Sequence, residues 1–178
     1  FGEGSFNAAF VPSYSKELVK GKRKSENFAN NIFNLLTIFL LALVLIIELF
    51  MPFFVSLIAP GFKTNPEKFA LATQLTKITF PFILFVSLAS FFSAILNSHN
   101  RFAAASAAPI ILNIIMIGVL VFGKVLGEKL VIFLSYSVSI AGFIQVIFLI
   151  LFVKKFFKPQ FKLKFKISKE IKLFFKKL

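Results

Sequence analysis

An all-α, polytopic membrane helical bundle is predicted by three observations: four long apolar runs, a 58% hydrophobic composition, and basic residues that alternate between crowded and sparse loops. Soluble domains average about 45–50% apolar residues, and four spans of roughly 20 residues would use nearly half of this 178-residue chain. Twenty of the 21 Lys and Arg residues lie outside the runs. Assigned to alternate sides, they place sixteen on one face and four on the other. Excess Lys and Arg mark the cytoplasmic side of a membrane protein, so the +14 net charge describes a topology. A nucleic-acid partner is not expected, because the cations flank spans and form no single folded basic face.

Residues 1–19 read as the end of a helix, interrupted by Pro12 and finishing in a polar run. Residues 20–27 (KGKRKSEN) read as a short charged cytoplasmic loop. The first complete span is predicted at about 28–58. Pro52 should kink it, since proline supplies no backbone donor, and Ala59-Pro60-Gly61 should stop it. Glu48 lies near the outer end of that span, where snorkelling to the headgroups is the expected behaviour.

Asn65 as N-cap, Pro66 at the first helical position and Glu67 open a second span over about 66–97, with Pro81 as a kink. Ser87, Ser90, Ala94 and Asn97 recur at three- and four-residue spacing, a small-residue stripe that permits close helix packing in lipid. The turn at 98–101 (SHNR) returns the chain. A third span follows at about 102–125, opening on small residues from Ala103 to Ala108 that end at Pro109. The fourth covers about 130–153, with Ser135, Ser139 and Gly142 on one face. Residues 1–153 are thus the transmembrane region, and 154–178 a basic cytoplasmic segment. Its Phe161, Leu163, Phe165 and Ile167 alternate with lysines, and Ser168 could cap an amphipathic helix suited to an anionic membrane surface or leading into another span.

Lys77 is the basic residue that fits no loop. It sits eleven residues past Pro66, about 16 Å along a helix. An ionisable group at that depth is expensive and usually faces a bundle interior or a wet cavity. Two readings stay open: a lysine snorkelling outward, or a cationic contact for an anionic substrate, with Thr73, Gln74 and Thr76 adding polarity nearby. Glu3, beside two glycines, suggests either a helix break lining a cavity or an interfacial acid. Asn113, mid-span, and Gln145 are read first as interhelical hydrogen-bonding groups.

Several chemistries lack material. There is no cysteine and no aspartate, and His99 has no second histidine with which to build a metal site. Phosphate-binding glycine loops and nucleophile elbows are also missing from the sequence. No catalysis, metal or cofactor is expected.

Two stretches carry more than periodicity. GEGSFNAAFVP at 2–12 resembles the EGAF..AFVP signature of the MurJ (MviN) family of lipid II flippases, with Ser5 and Asn7 as mild departures. PGF at 60–62 and EKFALATQLTKITFPFILFVSLASFFSAILNSHNRFAAASAAPIILNIIMIG at 67–118 are similar to the same family's KITFP, AILN and RF elements. The resemblance implies part of the N-terminal lobe of a multidrug/oligosaccharidyl-lipid/polysaccharide (MOP) superfamily exporter in the bacterial inner membrane. It implies lipid II, the undecaprenyl-pyrophosphate-linked peptidoglycan precursor, as substrate, and alternating access between two lobes. It places loop 20–27, turn 98–101 and tail 154–178 on the cytoplasmic side. The chain would then be a fragment, from the end of helix 2 through helix 6, without the second lobe and inactive in transport alone. Carried onto matching positions are Glu3, Lys77, and Asn97 and Arg101 of the turn motif; the substrate or cavity candidates are Glu3, Asn7, Lys77 and Asn113. The alternatives are another exporter of that superfamily or a non-transporting membrane scaffold subunit in contact with membrane lipids.

Overall fold

The computed structural model describes residues 3–161; the side chains of residues 3–5, 124, 126 and 128 are outside that description. The expected strand-like and amphipathic segments beyond Phe161 also lie outside the described residues. Helix α1 covers Glu3–Val19, α2 Lys22–Leu49, α3 Met51–Ile58, α4 Pro66–Thr79, α5 Phe82–Ser98, α6 Phe102–Val121, α7 Gly123–Leu126 and α8 Leu130–Val153. Four helical stretches, 22–49, 66–98, 102–121 and 130–153, are long and apolar enough to cross a membrane.

The boundaries correct three expectations. Helix α1 runs through Pro12 without interruption. Proline leaves the carbonyl four residues earlier, that of Ala8, without its helical partner, and packed neighbouring helices allow such a site to persist inside a helix; next to it Ser13 Oγ donates to the Ala9 carbonyl at 2.8 Å. Residues 22–27 are the first turns of α2, not a loop. Lys20 and Gly21, the latter at φ 122, make the connection, and Ser25 then donates to the Lys22 carbonyl at 2.8 Å. Helix α6 likewise passes through Pro109, and it ends at Val121 where the sequence suggested about 125.

The two expected proline kinks are breaks. Pro52 lies in the first turn of α3, so the α2 ladder fails at Phe50. Pro81 separates α4 from α5, and at that interrupted ladder Ser139 of α8 donates to the Ile78 carbonyl. A hydroxyl from a neighbouring helix thus reaches a carbonyl beside the break.

Helix α8 is the central post, packed on α5, α6 and α4, while α1 lies against α5 and α2. Gly142 explains the close approach of α5: a Cβ there would lie 2.6 Å from Phe82 Cδ2 and 2.9 Å from Phe85 Cβ. Between α1, α2 and α5 the core is aromatic. Phe91, fully buried, meets Phe10 at 5.2 Å, Phe92 at 5.3 Å, Phe33 at 5.8 Å and Phe157 at 5.9 Å between ring centroids. The chain leaving α8 folds back on α2: the Gln160 amide donates to Asn30 Oδ1 at 2.8 Å, and Asn34 Nδ2 donates to the Gln160 carbonyl at 3.1 Å.

Candidate substrate-facing groove

Asn65 accepts from the Lys68 amide at 3.1 Å and starts α4 with Pro66, as its sequence signals required. From there α4 presents Phe69, Ala70, Thr73, Gln74 and Lys77 along one side. Pro52, in the first turn of α3, faces them across an open groove of about 440 Å³. The break at Phe50 is what gives α3 a direction of its own beside α4.

The groove has one charge on an otherwise mild lining. Lys77 is exposed and enters no ion pair among the described residues. Thr73 donates its proton to the Phe69 carbonyl at 2.8 Å, which leaves its oxygen as an acceptor toward the groove side of the helix. Gln74 adds an amide. An exposed ammonium with an amide beside it can bind an oxyanion, and the apolar Phe69, Ala70 and Pro52 can lie against a hydrocarbon chain.

Glu48, expected to snorkel, is half-buried in the structure. Its Oε1 is buried with no hydrogen-bond partner among the described residues, and it lies within electrostatic reach of Lys77. Sequence reasoning placed Glu48 near a span end and so near headgroups. The signal it missed is that Glu48 and Lys77 lie at similar distances from the loop joining their two spans, ten residues before Ile58 and eleven after Pro66.

The other candidates are not gathered here. Glu3 opens α1, with its side chain outside the described residues. Asn7, also on α1, buries its Oδ1 without a hydrogen-bond partner among the described residues. Asn113 is exposed on α6. Asn97 and Arg101 build the turn at the basic end: the Asn100 amide donates to the Asn97 carbonyl at 3.1 Å and the Arg101 amide to the Leu96 carbonyl at 2.9 Å. With Asn100 at φ 56, this is the Schellman pairing that closes a helix through a left-handed residue.

Comparison with known proteins gives these positions a context. The family described as Lipid II flippase MurJ matches residues 1–178. The chain belongs to that family. Among its relatives, a probable lipid II flippase MurJ of Rickettsia prowazekii (strain Madrid E) is 38% identical over 150 residues, covering 84% of this chain and 29% of the relative. One from Rhizobium tropici is 40% identical over 151 residues, covering 82% and 28%. A third, from Buchnera aphidicola subsp. Acyrthosiphon pisum (strain APS), is 37% identical over 151 residues, covering 83% and 29%. The chain therefore spans under a third of the length of these relatives. With four helices able to cross a membrane, it is a multi-pass membrane protein.

Proposed function

We propose that this chain forms part of a flippase that moves lipid II across the bacterial cytoplasmic membrane, and that Lys77 contacts the pyrophosphate of the passing headgroup. Family membership supports the substrate; the single observation that supports the site is an exposed ammonium about 16 Å along α4, in a groove that also offers polar and apolar surface. Carrying a diphosphate unaided into hydrocarbon costs tens of kcal/mol by Born solvation. A wet groove with a cation lowers that cost, while the polyprenyl tail remains in lipid.

The crowded basic loops set the orientation we propose: the α1–α2 and α5–α6 turns and the chain after α8 on the cytoplasmic side. Lys77 then lies between the two surfaces, where a headgroup in transit would meet it. Alternating access between this lobe and a second one would present the site to each side in turn.

The test is replacement in a cell whose own flippase is depleted. Lys77→Met removes a charge-assisted interaction worth about 1.5–3 kcal/mol, so outward exposure of lipid II, read by a membrane-impermeant enzyme that cleaves its headgroup, should fall roughly ten- to hundredfold at normal protein level. Lys77→Arg should retain most of the activity. Unchanged exposure in Lys77→Met would support a scaffold role for this lobe and remove Lys77 from the site.

A further inference from the structure

His99, the one histidine of the chain, has no part in the transport reading. It caps the end of α5, outside the spans, in the rigid turn closed by Asn100. Its Nε2 lies 3.1 Å from the Tyr14 hydroxyl of α1, and its ring stacks on Phe156 with centroids 4.3 Å apart and planes 15° from parallel. Tyr14 is completely buried. Three segments distant in sequence, namely α1, the α5–α6 turn and the chain leaving α8, therefore meet on one imidazole.

The third of these is the one with most to lose. After Val153 no regular helix holds the chain among the described residues. Its attachments are Phe156 on His99, Phe157 inserted against Phe91, and Gln160 paired with Asn30 and Asn34.

We propose that His99 is a pH-sensitive clamp at the basic end of the bundle: neutral, it fastens the segment leaving α8 to α1 and the α5–α6 turn, and protonated, it loosens that segment. Burial supports this, because desolvation penalises the imidazolium and holds the His99 pKa below its ordinary value. The surrounding charges do not compensate. Tyr14 faces the ring from α1, and Glu26 of α2 acts on Tyr14, while no charged group contributes to the His99 shift among the described residues. Arg101 in the same turn and Lys154 and Lys155 beside Phe156 are cations, unfavourable company for a second positive charge. Because the folded pKa is depressed, the clamp contributes fully above about pH 6.5, the ordinary imidazole value, and is lost as pH falls through the folded value. It would operate whatever the substrate.

The test uses the intact protein in lipid nanodiscs with labelled histidine, the His99 signal being assigned by its loss in His99→Gln. By nuclear magnetic resonance its titration midpoint should lie below 6.5. Spin labels on Lys16→Cys and Lys154→Cys, both exposed positions in a cysteine-free chain, should give a narrow distance distribution at pH 7.5 and a broad one at pH 5. In the His99→Gln background, where the side chain can still hydrogen-bond but cannot titrate, the distribution should be the same at both pH values. A midpoint at or above 6.5, or an unchanged distribution on acidification of the parent, would overturn the clamp.

Discussion

Replacing Phe91 with alanine should lower the unfolding free energy by about 3 kcal/mol, at the lower end of the range of about 3–5 kcal/mol for Phe→Ala in a packed core. The lower end applies because lipid is as apolar as the bundle interior, so little transfer free energy is lost on unfolding into the membrane. What remains is the cavity. Phe91 touches rings from four segments: Phe6 and Phe10 on α1, Phe33 on α2, Phe92 beside it on α5, and Phe157 after α8. None of these is free to collapse inward without leaving another helix. Thermal unfolding in detergent should show a lower midpoint, with Phe91→Leu intermediate. A midpoint equal to the parent's would mean that the aromatic cluster is not what joins α1 to the bundle.

A comparable loss is expected from Gly142→Val, at the opposite extreme of packing. The Phe82 ring could rotate away from a new Cβ, but Phe85 Cβ is fixed to the α5 backbone, so α5 and α8 must separate. Overpacking of this kind costs about 1–3 kcal/mol. Separation would also stretch the Ser139 hydrogen bond to the Ile78 carbonyl, one turn from Gly142. Gly142→Ala should show a smaller shift in the same direction, and melting curves of both variants check the order. Because α4, which carries Lys77, also packs on α8, transport should fall along with stability.

Much of the fold was legible because membrane helices announce themselves by length. The fourth span, 130–153, matches α8 residue for residue, and the chain breaks at Pro52 and Pro81, where a missing amide donor interrupts the ladder. Charge density in 20–27 suggests irregular chain, whereas Lys20 and Gly21 make the turn and Lys22 to Glu26 lies on a regular helix face.

The site was legible only in part. Lys77 stood out as a cation inside an apolar run, which needs no partner to be noticed. Glu48 and His99 did not, because their roles depend on residues brought close by packing: Lys77 on another helix, and Tyr14 and Phe156 on either side of the sequence. Hydropathy places a residue along a span but does not say which neighbour it turns toward. Asn113 illustrates the limit, since its mid-span position gave no hint that it faces outward from α6.

The central claim is that Lys77 sits in a water-filled groove that the substrate enters. The chain has no native cysteine, so in a functional, otherwise cysteine-free flippase Lys77→Cys offers a single thiol. Thiol reagents of the charged, membrane-impermeant kind act on a thiolate, which forms in water and not in hydrocarbon. The account predicts that the thiol introduced by Lys77→Cys reacts with such a reagent and that added lipid II slows the reaction. A thiol that stays unmodified, or one whose rate is indifferent to lipid II, would contradict it.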